Sequence, residues 1–205
     1  MCKETLKIVA NMNREEIEKK IALQCAPLIT GIKISNLLIV SSKEAESVPY
    51  ILRRTGIVFF RLAKMEDRIT FLVFRREELA HYLQDSDVMH ILSCLGYRDL
   101  SLRGILMTFA KRYQTYANVG AGFPHEMGLL LGYPVEDVEG FIKHKGQNFL
   151  YSGYWKVYKD VPAKKRLFQS FENSQKDVVS LLADGVDIWR IIQLYQKANK
   201  PQIAV

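Results

Sequence analysis

The stretch "IVFFRLAKMEDRITFLVFRR", Ile57 to Arg76, constrains the fold more than any other. Two runs rich in β-branched and aromatic residues, Ile57 to Ala63 and Ile69 to Phe74, flank the polar turn Glu66-Asp67-Arg68. That pattern predicts a β-hairpin. Successive strand side chains point to opposite faces, so Phe59 opposes Phe60, and Phe71 opposes Leu72. A hairpin with one wet face would alternate apolar with polar, and this one does not. It therefore sits centrally in a sheet covered on both faces, or one face meets a second subunit, which makes a homodimer the partner to expect.

Helical patterns surround the hairpin. Residues 13 to 24 carry an apolar stripe, Ile17, Ile21 and Leu23, with Asn13 as N-cap and Glu16 placed as in a capping box; Pro27 is expected to end this helix. A strand is expected near Leu37 to Ser41, then a short helix from Glu44 to Arg54 closed by Gly56. Arg76 to Leu83 starts a helical run that Asp85-Ser86-Asp87 recaps, and Gly96 stops the second part. "DLSLRGILMTFAKRY" is a further helix with Leu102, Ile105, Leu106 and Phe109 on one face. Two short helices follow the Gly120 and Gly122 loop, then a strand near Tyr154 to Tyr158. Pro162 opens a long helix ending at Gly185, and a last helix covers about 186 to 197, with a loose tail over 198–205. Two strands joined directly, with no β-α-β alternation, indicate α+β. The expected architecture is a small, mainly antiparallel sheet, built from the hairpin 57–74 and strands near 37–41 and 154–158, packed with many helices. At 205 residues the expectation is a single domain, 1–205.

Composition removes several function classes. No apolar run reaches the roughly 18 residues a membrane span needs, and the N-terminus lacks the apolar core of a signal peptide, so a cytoplasmic protein with no membrane partner is expected. Cys2, Cys25 and Cys94 are few and widely spaced, which argues against a disulfide framework or a thiolate zinc site. The net charge of +7 makes this a basic protein and favours an anionic ligand. Nucleic acid is not expected as that partner. Arginines and lysines cluster around the hairpin, but no ribonucleoprotein-type motif, zinc-finger spacing or basic recognition helix accompanies them.

Chemistry concentrates in "FPHEMGLLLGYPVEDVEGF", Phe123 to Phe141. Much of it reads as helix punctuation. Pro124 is expected at the first position of a helix, Glu126 in its first turn, and Gly132 at its end; Pro134 starts the next helix with Glu136 and Asp137 in its first turn. A zincin site fails because Leu129 stands where the second histidine is required. A phosphate loop is disfavoured, since Pro124 removes a donor and Glu126 repels an anion. His125 with Asp137 remains as a candidate acid–base pair, because a carboxylate can orient an imidazole and raise its basicity.

The second candidate region is "GYWKVY". On a strand, Tyr154, Lys156 and Tyr158 share one face, suited to an anionic or planar ligand, and Trp155 and Val157 share the other. His90 and Cys94, four apart on a helix, are two potential metal ligands without a third. Cys25 is a candidate nucleophile if a helix end or Lys33 lowers its pKa.

"FPHEMGLLLGYPVEDVEGFI", together with "GYWKVY" and "CAPLITGIKISNL", resembles the bacterial family labelled domain of unknown function 3793, found mostly in clostridial-type anaerobes. The resemblance covers nearly the whole chain. It implies a single-domain cytoplasmic protein and carries no activity, metal or cofactor with it. It implies as signature positions Cys25-Ala26-Pro27, Lys33, His125, Glu126, Gly132-Tyr133-Pro134, Asp137 and Gly153 to Tyr158. The reading that joins these observations is a small-ligand or cofactor-binding accessory protein. Its site would lie between the 123–141 segment and the GYWKVY strand, with His125, Glu126, Tyr133, Asp137, Tyr154, Lys156, Tyr158 and Lys33 as ligand-binding residues. The alternatives are an enzyme using His125 and Asp137, with Cys25, and an interaction module pairing through the apolar hairpin.

Overall fold

The second strand of the hairpin is the central strand of the main sheet, and the first is an edge strand. In the computed structural model, which describes residues 3–120 and 122–198, the chain runs α1 (Lys3–Asn11), α2 (Glu16–Ile29), β1 (Ser35–Ser41), α3 (Ser42–Ala45), α4 (Val48–Leu52), β2 (Ile57–Met65) and β3 (Arg68–Arg75). It continues through α5 (Arg76–Leu83), α6 (Ser86–Cys94), α7 (Leu102–Val119), α8 (Met127–Leu130), α9 (Val135–Lys143), β4 (Tyr151–Ser152), β5 (Lys156–Val157), α10 (Val161–Ala183) and α11 (Ile188–Ala198). The fold is α+β. Cys2 and all but the first residue of the tail expected over 198–205 lie outside the described residues. No helix among the described residues is long and apolar enough to cross a membrane.

The main sheet has the order β1-β3-β2, antiparallel throughout, with Leu37 opposite Leu72 and Met65 opposite Arg68. As the central strand, β3 is buried from Ile69 to Phe74, which answers why its sequence does not alternate. Phe71 and Val73 face a core formed with α2, α10 and α11, including Ile21, Leu28, Val178 and Ile191. Leu72 and Phe74 face a second core formed with α5 to α9, including Leu79, Leu92, Phe109 and Leu130. Both faces of β3 are thus covered from within one chain, whereas β2, at the sheet edge, leaves Phe59 and Met65 exposed. A bulge between Arg61 and Ala63 lets consecutive residues Leu62 and Ala63 both turn inward.

Four expectations need correction. The single helix expected from Glu44 to Arg54 is two short ones, α3 and α4, separated at Glu46–Ser47. Helix α2 starts at Glu16 after Glu15, with no side-chain cap from Asn13, and it runs through Pro27 to Ile29. A proline inside a helix leaves the carbonyl four residues earlier without its donor. Here that carbonyl, on Leu23, accepts from Gln175 Nε2 of α10 at 2.6 Å, so the helix continues. The strand near 154–158 does not join the main sheet. It shrinks to Lys156–Val157 and pairs only with Tyr151–Ser152, in a separate two-stranded ladder against a third small core of Val157, Phe168 and Phe171. Gly153 permits this docking, because a Cβ there would stand 2.3 Å from the Phe168 ring. Finally, α8 begins at Met127, not at Pro124.

Candidate functional site

The segment between α7 and α10 is held in place by two buried carboxylates. Gly120, at φ 71, turns the chain out of α7, and Glu126 arrives 2% exposed beside Arg112 in the middle of that helix. Its Oε1 accepts from the Tyr97 hydroxyl at 2.9 Å and from Arg112 Nη1 at 3.0 Å, while the Arg112 guanidinium lies 4.6 Å over the Tyr97 ring. Burial, and then the Glu126 charge, push the Tyr97 phenol well above its usual range, so it stays a donor. The expected roles of Glu126, in a helix first turn or on a ligand, are therefore corrected: it is an anchor. Arg112 and Tyr97, its partners, carried no motif that singled them out.

Asp137 is the second anchor and is also 2% exposed. Its Oδ1 accepts from the backbone N–H of Tyr158 at 2.8 Å and of Lys159 at 3.3 Å, and its Oδ2 accepts from Trp155 Nε1 at 2.7 Å. Lys164, itself buried, pairs with Glu136 at 2.8 Å and reaches to 4.0 Å of Asp137. Gly140 allows the approach, since a Cβ there would meet Tyr158 Cγ at 2.4 Å. Asp137 thereby ties α9 to β5 and fixes the Trp155 indole. That indole stacks on Tyr133 with centroids 4.4 Å apart and meets Phe168 edge-on at 4.5 Å. Tyr133 is fixed in turn, its carbonyl accepting from the Tyr82 hydroxyl at 2.7 Å.

The stacked Tyr133–Trp155 pair lines two cavities. The first, of about 240 Å³, brings together five of the sequence-predicted residues: His125, Tyr133, Asp137, Tyr154 and Lys156. Phe123 and Phe141 complete an aromatic wall, with centroids 5.7 Å and 5.6 Å from the His125 ring. Lys156 is tethered, donating to the Gly146 carbonyl at 2.6 Å with its ammonium 5.0 Å over Phe149. The Nδ1 of His125 is buried and has no hydrogen-bond partner among the described residues. No hydrogen bond among those residues joins His125 to Asp137, whose oxygens are already occupied. Tyr158 does not line this cavity; it stacks on His144 at 5.7 Å and 9°. The common face expected for Tyr154, Lys156 and Tyr158 is split because regular strand geometry covers only Lys156 and Val157.

The second cavity, of about 590 Å³, is lined by Lys33, Glu78, His81, Tyr82, Asp85 and Phe171 in addition to the shared pair. Lys33 donates to Asn36 Oδ1 at 2.7 Å and lies 5.3 Å from the Tyr133 centroid. Burial lowers its pKa to about 8, with a small opposing effect from Cys25. Lys33 is thus a neighbour of the expected site, not a member of it.

The remaining candidates lie elsewhere. Cys25 is packed in the α2 core, where burial, against a weaker pull from Lys33, pushes its thiol up to about 12. A thiol of that kind holds no thiolate at neutral pH. Cys94 Sγ and His90 Nε2 are 3.7 Å apart on the exposed side of α6. Among the described residues no three His, Cys, Asp or Glu side chains gather as a metal set.

No curated protein and no solved structure matches this chain. A family model does match, from within α2 into α11, and the matched span encloses both carboxylate anchors and both cavities. Over residues 21–192 the chain fits the family described as Protein of unknown function (DUF3793), and it belongs to that family.

Proposed function

We propose that this protein binds a small planar molecule, mainly apolar with one hydrogen-bonding group, in the cavity between α8–α9 and the Tyr154–Lys156 segment. The observation that supports this reading is the buried, unpartnered Nδ1 of His125, a residue that lines a mainly apolar cavity with Phe123, Phe141, Tyr133 and Trp155, where Asp137 and Lys156 are already hydrogen-bonded within the fold. Buried polar atoms are nearly always satisfied, and exceptions mark functional positions. Apolar walls with one placed polar group are the usual make-up of a small-ligand site. A volume of about 240 Å³ suits one or two fused rings. Occupied oxygens on Asp137 favour binding over proton transfer by a His125–Asp137 pair.

Trp155 and Trp189 are the only two tryptophans, so Trp189→Phe leaves Trp155 as the sole reporter of the cavity. In that background, phenol, indole and benzamide are titrated while indole emission, or Trp155 Nε1 by NMR for the indole titration, is followed. Saturable change that His125→Leu weakens about tenfold is the expected result. No saturation with any of the three, or equal binding by the His125→Leu protein, overturns the reading.

A further inference from the structure

The larger cavity has different open chemistry. We propose that it is a second site, for a carboxylate carried on an apolar ring, with the Lys33 ammonium as the partner of that carboxylate. This does not rest on the first cavity, although the two share the Tyr133–Trp155 wall.

Lys33 is half-buried and placed by its surroundings. Its backbone N–H donates to the Pro27 carbonyl at 2.9 Å, closing the turn after α2. Its ammonium donates to Asn36 Oδ1, and Asn36 is itself oriented by Nδ2 bonds to the carbonyls of Gln24 and Leu37. The rings of Tyr133 and Phe171 lie 5.3 Å and 5.9 Å from Nζ. An ammonium has three donors, and among the described residues no carboxylate stands within ion-pair distance of this one.

The acidic groups that line the cavity do not neutralise it. Glu78 pairs with Arg75 at 3.9 Å, and Asp85 Oδ1 caps α6 through the N–H groups of Asp87 and Val88. Cys25, which acts on Lys33 electrostatically, stays a neutral thiol, and Tyr82 and Tyr133 stay neutral phenols because burial raises both. His81, on the exposed side of α5, is the remaining titratable group in the lining. The net result is a positioned cation without a counter-charge, facing aromatic walls. A carboxylate would gain a charge-assisted hydrogen bond there, and a ring attached to it would cover Trp155 and Phe171. A bare phosphate suits the cavity less, since its second charge would find no further cation and would meet Glu78 and Asp85.

The test uses the full chain carrying Trp189→Phe, with Trp155 emission as readout at pH 7. Phenylacetate is compared with its neutral isostere phenylacetamide and with inorganic phosphate. Phenylacetate should saturate and bind about tenfold or more tightly than phenylacetamide or phosphate. Lys33→Met and Lys33→Gln should each erase the preference for the acid, and His125→Leu should leave it intact. Raising the pH above about 8 should weaken the acid and leave the amide unchanged, because the ammonium is lost there. The proposal is overturned if acid and amide bind equally, if phenylacetate fails to saturate, or if both Lys33 variants keep the preference. It is also overturned if His125→Leu, and not Lys33→Met, removes it, which places the ligand in the first cavity.

Discussion

The two cavities share a wall and differ in what they leave open. On one side of the Tyr133–Trp155 stack the unpaired group is an imidazole nitrogen among phenyl rings; on the other it is an ammonium above aromatic faces. The side chains that look most chemical in the sequence, Glu126 and Asp137, are open on neither side. Both carboxylates serve donors of the fold: Oε1 of Glu126 accepts from Arg112 and Tyr97, and the two oxygens of Asp137 accept from Trp155 and two backbone N–H groups. The lesson is that a buried carboxylate is first a structural acceptor. The residues free to meet a ligand are those whose valences the fold does not fill.

The widest break in this comparison comes from Asp137→Ala. It strips the acceptor from Trp155 Nε1 and from the N–H groups of Tyr158 and Lys159, and it removes a charge near Lys164. Loss on the order of 3–5 kcal/mol is expected, as for breaking a buried charged network. Because Trp155 belongs to both walls, binding in both cavities should fail together. Urea unfolding checks the first statement and the two titrations check the second; a loss below about 1 kcal/mol would mean that Asp137 does not hold the wall.

Glu126→Ala sharpens the comparison by affecting one side. It leaves Arg112 and Tyr97 without their common acceptor under α7, beside the His125 cavity and away from Lys33. Arg112 is partly solvated, so the loss should be smaller, about 2 kcal/mol. Binding of phenol or indole should weaken while the acid preference attributed to Lys33 survives. Equal damage to both sites would show that the cavities are not independent.

Lys33→Met tests the other side, and its sign is opposite. The folded pKa of Lys33 is lowered from 10.5 to about 8, so the unfolded chain holds this proton more tightly than the folded one. Stability therefore rises as pH climbs from about 8 toward 10.5, and below about 8 the full penalty is present. Replacing the ammonium with a methionine of similar length should stabilise the free protein at pH 7 by about 1 kcal/mol, after discounting for partial exposure. The gain should shrink toward zero by pH 10.5. Thermal melts of the two proteins across that range decide it; a destabilised Lys33→Met at pH 7 would mean that the ammonium serves the fold.

Some of this was legible from local pattern and some was not. The hairpin, the double-sided burial of β3, the helix stops at Gly96 and Gly185 and the loop at Gly120 follow from residues a few positions apart. So does the gathering of His125, Tyr133 and Asp137, which two short helices and a tight turn bring to one cavity. What failed depends on distant partners. Pro27 reads as a helix end because nothing near it shows that Gln175, 152 residues away, will take the orphaned carbonyl. Glu126 reads as a helix-dipole residue because Tyr97 and Arg112 approach it only in the folded core. Lys33 belongs to another cavity because the Tyr133–Trp155 stack, which divides them, depends on an indole fixed by Asp137. The helix Lys3–Asn11 carries no cap or stop residue that marks it in the sequence.

The smallest expected effect is the one on which the ligand reading depends most. His125→Leu deletes a buried nitrogen that makes no hydrogen bond, so no native bond is lost from that atom. A leucine keeps apolar contact with Phe123 and Phe141, whose rings lie within 5.7 Å of the imidazole. Removing an unsatisfied polar atom and keeping the volume should be close to neutral, within about 0.5 kcal/mol of the parent in urea unfolding. A core residue behaves differently: if His125 were simply packed, losing its shape and aromatic contacts would cost 1 kcal/mol or more, on the order of other core exchanges. Near-neutral stability combined with lost binding is then the signature of a residue kept for something outside the chain. A large destabilisation would make His125 one more anchor, like Glu126 and Asp137, and would leave Lys156, tethered to the Gly146 carbonyl, as the remaining polar group of the first cavity.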